Sequence, residues 1–271
     1  MKALRMTNYS LPVILVVLSI HLAPISAFFT PFHNSDIYLF IGSYALRVFC
    51  LTAGYHRYFS HKTFETSRIF QFILAYVAAC ALQGGPLWWA SHHRQHHHRA
   101  DLAEDVHSPT QYGFWHSHFL WFMQKKNLSA HYGLIKDFSR FPELRWLERY
   151  WYLCPLPMLG ALYFFCGWNG VIWGFLVPTV FVNNVTYSVN SLLHLIGSRP
   201  YNTKDDSRNH FWLALLTFGE GWHNNHHRYP GSAQQGFKWY QIDITYYILV
   251  LLAKCRLVHH LKPVPHKILI G

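Results

Sequence analysis

The sequence predicts an all-α integral membrane protein in which four transmembrane helices lie beneath a cytoplasmic helical cap, as one domain over residues 1–271. Three observations carry this. The chain is 51% hydrophobic and 18% aromatic but only 13% charged, too apolar for an ordinary soluble domain of this length. Four stretches are long enough to cross a bilayer, which takes about 20 residues of helix. The connections between those stretches divide sharply in charge. No fixed-period repeat and no low-complexity linker breaks the chain into further units.

The first span is placed at residues 11–29, "LPVILVVLSIHLAPISAFF". Lys2 and Arg5 precede it as they would a signal peptide, but the run exceeds a signal core and contains Pro12 and Pro24, so it reads as a retained span. The second covers 36–55, the third 150–167 and the fourth 169–190. Pro155 and Pro157 interrupt the third, which is tolerated where neighbouring helices satisfy the freed carbonyls. Residues 68–83 are apolar but short and end at "GGP", so they are expected to lie along the interface. The stretch 240–253 is shorter still and carries Asp243. The cap is then 56–149 together with 191–271.

Charge sets the orientation. Residues 30–35 and 168–169 hold no Lys or Arg, whereas 56–148 hold ten and the chain after residue 196 holds nine. By the positive-inside rule both termini and the long central region are cytoplasmic. The net charge of +11 is thus an orientation signal with some attraction to anionic headgroups. Because the cations form no sustained run, a nucleic-acid partner is not expected. The five cysteines, at 50, 80, 154, 166 and 255, match no zinc or iron–sulfur spacing. Four of them sit in apolar segments, as small packed hydrophobes do. Arg47 is a different matter. It lies nine residues before His56, about 13 Å up the second span, where a charge is costly and usually functional or paired; the sequence names no partner.

Histidine is the outlying residue type, with 21 copies. "GEGWHNNHHRYP" places His223, His226 and His227 at i, i+3 and i+4, on one helical face. "HHRQHHH" repeats that pattern with His93, His96 and His97, "HRYFSH" holds His56 and His61, and "NSLLH" sets Asn190 four residues before His194. The topology brings these groups to one address, because His56 and His194 fall at the cytoplasmic ends of the second and fourth spans. His56 and His61 lie about 140° apart on an α-helix, so the span is expected to end or bend between them. Nine imidazoles exceed the four to six ligands of one ion, and two metals follow. Asn190, a weak direct ligand, suits a metal-bound water. Imidazole alone does not select among iron, zinc, copper and nickel. No H-E-x-x-H is present, and Glu104/His107 and Glu220/His223 are the E-x-x-H pairs of a carboxylate-type di-iron site that lacks its two further glutamates. The second ring nitrogen of each ligand needs an acceptor, for which Asp101, Asp105 and Glu220 are nearest. His92, His98, His107, His116 and His118 read as neighbours of the ligands or as surface residues.

The strings "TAGYHRYFSH", "HHRQHHH" running on to "DVHSP", "GFWHSH", "NSLLHLIGSRPY" and "GEGWHNNHHRYP" together resemble the integral-membrane fatty acid desaturases, close to the stearoyl-CoA desaturase branch, over about residues 36–265. The resemblance implies two iron ions, O2 as co-substrate, and removal of two hydrogens from an acyl chain. It assigns the iron ligands to His56, His61, His93, His96, His97, His194, His223, His226 and His227, with Asn190 acting through a water. "MQKKN" is similar to the basic pair that meets the CoA phosphates, which implies substrate binding by Lys125 and Lys126. Ser91 and His92 stand where the animal enzymes carry an Arg-Asp pair that contacts CoA. The implied substrate is an acyl thioester of CoA or acyl carrier protein. The chain shows no cytochrome b5 motif, ferredoxin cysteines or nucleotide-binding loop, so electrons are expected from a separate ferredoxin or cytochrome b5-type protein. The short ends look bacterial, which implies an inner-membrane location. Two other readings fit some of these residues. A hydroxylase or acetylenase would use the same boxes, and a metal transporter would place its ligands nearer the bilayer midplane.

Overall fold

Pro12 stands in the first turn of α1 (Leu11–Leu22), where a missing N–H leaves no hydrogen bond unmade. The chain is described here from residue 6 to residue 270 in a computed structural model; Lys2 and Arg5 of the signal-like flank lie outside the described residues. A 3₁₀ segment, Ala23–Phe29, continues α1 to a length of 19 residues. None of the α1 residues is buried in protein, and Leu15, Leu18, Phe28 and Phe29 are exposed, as a lipid-facing span requires.

Two further helices among the described residues are long and apolar enough to cross a membrane. Asn34–Ser60 is one of 27 residues, made of α2 (Asn34–Phe49) and a π-helix over Cys50–Ser60. It ends at Ser60, between His56 and His61, as expected. Before it ends the helix widens: the His61 N–H donates to the His56 carbonyl at 3.3 Å, an i→i+5 bond. In such a turn residues five apart stack as residues four apart do in an α-helix, so His61, as the cap residue, comes to the same side as His56. Arg47 is fully buried within α2 and its partners are not acids. The guanidinium donates to Thr179 Oγ1 at 2.6 Å and Ser43 Oγ at 2.9 Å, and lies 5.0 Å from the Phe175 ring centroid.

After a two-residue strand, β1 (Glu65–Thr66), the chain enters α3 (Arg68–Ala79), capped by Ser67 Oγ accepting from the Phe70 N–H. Gln71, Leu74, Ala75, Ala78 and Ala79 of α3 are buried. The cap continues with α4 (Pro86–Arg99), the short turns α5 (Pro109–Tyr112) and α6 (Lys136–Ser139), and α7 (Pro142–Tyr150).

The third long helix, Pro155–His194, runs 40 residues where two spans were expected at 150–167 and 169–190. It contains α8 (Pro155–Val171) and α9 (Val177–Ser191). Pro155 and Pro157 do not interrupt a span but open this one, in the first turn where proline fits. The backbone leaves helical geometry at Gly167, with φ 62° and ψ −158°. A straight helix of this length would reach about 60 Å, twice the hydrocarbon core.

Beyond it come α10 (Phe211–Leu216), α11 (His223–Arg228), α12 (Ile244–Lys254), β2 (Val258–His259) and α13 (His266–Ile270). Asp243 does not lie in an apolar run: it precedes α12, and its Oδ1 accepts from the Tyr246 N–H at 3.0 Å. β1 and β2 pair antiparallel, Glu65 opposite His259, a small departure from the expected all-α architecture. The core is built where these pieces meet. Leu51, Tyr55 and Phe59 pack with Leu74 and Ala78 of α3, Leu87 and Ala90 of α4, Leu144 and Leu147 of α7, and Leu249 of α12. That cluster holds the backs of the histidine-bearing helices.

Candidate metal centre

α4 and α11 each carry one H-x-x-H-H row, and the two rows interlock. His93 and His97 of α4 join His56, His61 and His226 in one group, while His96 joins His194, His223 and His227 in a second. Each helix therefore divides its histidines between the groups, and neither group can form without both helices. All nine imidazoles singled out in the sequence are brought together, five and four. Within each group one ligand atom per residue lies within 4.8 Å of all the others.

The contacts are those of converging lone pairs. His226 Nε2 lies 3.0 Å from both His56 Nε2 and His97 Nε2, and His61 Nε2 lies 2.9 Å from His93 Nε2. In the second group His194 Nε2 and His223 Nε2 are 3.0 Å apart. A ring nitrogen either donates or accepts along one direction, so His226 Nε2 cannot serve two partners by hydrogen bonding. A cation among them can: nitrogens about 2.1 Å from one ion and at right angles around it stand about 3.0 Å apart. His227 Nε2 is buried with no hydrogen-bond partner, which is the state of a ligand atom.

Four of the opposite ring nitrogens are tied down by carboxylates. Nδ1 of His96 faces Asp105 at 2.9 Å, that of His194 faces Asp101 at 2.7 Å, and that of His56 faces Glu220 at 2.5 Å. These are the three carboxylates the sequence put forward as acceptors, and each fixes a ring with Nε2 turned to the centre. A fourth, Asp205, holds His227 Nδ1 at 2.9 Å. Sequence reasoning missed it because it lies 22 residues away in "KDDSRNH" with no helical phase linking the two. Also missed was Arg57, fully buried, whose guanidinium donates to Glu220 and to Asp243 at 2.9–3.1 Å and to the Ala233 carbonyl at 2.7 Å. Gln235 Nε2 donates to the other oxygen of Glu220 at 2.8 Å.

Burial, reinforced by neighbouring imidazoles, holds His61, His93, His97, His223 and His226 far below the usual histidine range, so these rings are neutral. Burial also lowers His227, to about 4, with Asp205 pulling the other way. Burial would raise the carboxyls of Asp101, Asp105 and Asp205, but hydrogen bonds and charge from His194, His96 and His227 keep all three below the carboxylate range. Neutral rings are the state a metal site needs; His96 differs, since burial would lower it but the Asp105 carboxylate on its Nδ1 raises it, so a metal bound there displaces a proton.

The other candidates lie elsewhere. His92 Nδ1 meets the Trp88 carbonyl, His116 Nε2 the Val106 carbonyl, and His118 bridges Ser191 and Asn184. His98 is exposed. His107 sits with His96 and Asp105, sharing His96 with the four-histidine group, whereas Glu104 is exposed, so the E-x-x-H pairing of Glu104 and His107 does not assemble. Asn190 is not among the converging atoms and stands in the wall of a neighbouring cavity of about 690 Å³. That cavity reaches His56 and His93 at the centre and is walled by Val13, Val17 and Ile20 of α1, Leu51, Trp88, Trp89 and Tyr187. Lys125 and Lys126 are exposed, between the cavity-lining Phe122 and Leu128.

A family description supplies the rest. The sequence profile of the family "Fatty acid desaturase" matches residues 35–254. The chain belongs to the fatty acid desaturase family. Similar proteins include the sn-2 palmitoyl-lipid 9-desaturase of Nostoc sp. (strain 36), 39% identical over 73% of this chain and 71% of the relative. The chloroplastic palmitoyl-monogalactosyldiacylglycerol delta-7 desaturase of Arabidopsis thaliana is 38% identical over 91% of this chain and 67% of its own. Acyl-CoA 5-desaturase AL21 of Anemone leveillei is 38% identical over 88% and 75%. The protein is thus a membrane oxidoreductase that desaturates fatty acyl chains, and its histidine clusters are capable of binding metal.

Proposed function

We propose that the desaturase uses two iron ions and O2 to introduce a double bond into an acyl thioester, with electrons from a separate ferredoxin or cytochrome b5-type protein. The observation that carries this is the convergence of nine histidine nitrogens into a five-membered and a four-membered group beside an apolar cavity. His56, His61, His93, His97 and His226 would hold one ion, and His96, His194, His223 and His227 the other. Asn190 would complete the four-histidine site through a water. Bound iron supplies an oxygen-dependent oxidant able to take hydrogen from an unactivated methylene, which no side chain can do. The protein's share is placement. The cavity is within the usual range of roughly 300–1,000 Å³ for ligand sites, and its apolar walls seat the chain and exclude water where His56 and His93 meet it.

Four membrane crossings fit this reading. The break at Gly167 turns the 40-residue run into a hairpin of two spans, and the charge asymmetry then leaves the metal centre and both termini on the cytoplasmic side of one membrane domain, in a bacterial inner membrane. Product analysis by mass spectrometry, after expression in cells fed acyl chains of graded length, tests the reaction. A mono-unsaturated product with no hydroxylated or triple-bonded species is expected; either of those as main product contradicts it.

Lys125 and Lys126, exposed beside the cavity-lining Phe122 and Leu128, would meet the phosphates of a thioester carrier. Exposed Lys–phosphate contacts contribute about 1 kcal/mol or less each. Lys125→Ala/Lys126→Ala should therefore raise KM for acyl-CoA or acyl carrier protein about tenfold and leave kcat largely intact. Relatives are named for lipid-linked as well as CoA-linked chains, so intact phospholipid is the third substrate in the comparison. Desaturation of phospholipid alone, with the double variant unimpaired, would remove the lysines from the site.

A further inference from the structure

The two histidine groups differ in the charge that stands behind them. Three of the four imidazoles in the smaller group, His96, His194 and His227, face Asp105, Asp101 and Asp205. Among the described residues, the ion pairs of these three carboxylates run to histidines alone. The nearby Arg199 pairs with the side chain of Asp206 instead. In the larger group one imidazole of five, His56, faces a carboxylate, and that carboxylate, Glu220, also accepts from Arg57 at 3.1 Å. With Asp243 on the same guanidinium, the larger group is backed by a net single negative charge and the smaller by three.

A carboxylate on the far nitrogen makes an imidazole a stronger donor, and in a buried site its charge is poorly screened. Both effects favour the more highly charged state of the ion it serves. We propose that Asp101, Asp105 and Asp205 make the two sites unequal in redox terms, so that the half-reduced pair holds Fe³⁺ in the four-histidine group and Fe²⁺ in the five-histidine group. A one-electron donor protein, oxidised by one electron at each encounter, then reduces the ion beside His56 and His93 first. The second electron converts the remaining Fe³⁺ at the four-histidine group. The first electron thus settles at the ion whose ligands line the acyl cavity. The three aspartates act as positioning residues that also set a potential. This inference rests on the two-iron reading.

The test is a stepwise reductive titration of ⁵⁷Fe-loaded protein, with Mössbauer counting of Fe²⁺ and Fe³⁺ and the half-reduced form followed by electron paramagnetic resonance. Asp205→Asn, at the most accessible of the three carboxylates with 11% side-chain exposure, should raise the potential of the four-histidine ion and narrow the gap between the two steps. The constant for forming the half-reduced pair should fall about tenfold, equivalent to about 59 mV for one electron. Asp105→Asn should move it the same way and Glu220→Gln the opposite way, which a general loss of packing would not do. An unchanged or increased constant in Asp205→Asn or Asp105→Asn, with iron still near two per chain, overturns the inference alone. Failure of the wild-type protein to hold two irons overturns the two-iron reading instead.

Discussion

Arg57 follows His56 in sequence, yet the two side chains meet through Glu220. Taking Arg57 away leaves Glu220 and Asp243 as buried carboxylates without the cation they share. Removing one partner of a buried pair costs about 3–5 kcal/mol, so Arg57→Ala should lose much of its thermal stability in detergent, measured by unfolding midpoint, and lose metal at the five-histidine group with it. A midpoint within a few degrees of wild type would show that the network is dispensable. The ligands themselves should separate chemistry from folding. His93→Ala, His194→Ala and His227→Ala are expected to abolish product while the protein still inserts in the membrane, whereas His259→Ala and His266→Ala, exposed near the carboxyl end, should do little. Tail variants as inactive as the box variants would contradict these roles.

At the scale of elements, the i, i+3, i+4 spacing reads directly as one helical face, and α4 and α11 carry it. What the spacing does not encode is the division of each row between two groups, because that depends on the second helix packed opposite. The π-widening at Cys50–Ser60 was equally hidden. Only the α-helical step was assumed, and under it His56 and His61 had to diverge. Asp101 and Asp105 were legible by nearness to the second box; Asp205 and Asp243 reach the site through long loops whose course no local pattern sets. Arg47 found hydroxyls and an aromatic ring, partners too common to be singled out from sequence. Gly167 offers a clean test at this scale. Its backbone lies in a region that is nearly glycine-only, and a Cβ there would meet no atom within 4 Å. Gly167→Ala should therefore cost only backbone strain, about 1–3 kcal/mol, seen as a lower unfolding midpoint with kcat unchanged. An alanine variant as stable as wild type would mean the Pro155–His194 segment does not need this conformation.

Over the whole molecule, the apolar spans, the buried core and the cap serve one arrangement: two histidine clusters able to bind metal, with a cavity leading to them. Composition was enough to read a membrane protein, and the boxes were enough to read its family. The central claim is that nine histidines make two metal sites in one chain. It is tested most directly by metal analysis of protein purified without chelator, comparing wild type with His56→Ala and His226→Ala. The account predicts about two irons per chain in the wild type, with zinc replacing iron in part on overexpression, and a fall towards one in each variant, since both residues belong to the five-histidine group. A wild-type value near one that neither substitution changes would contradict it.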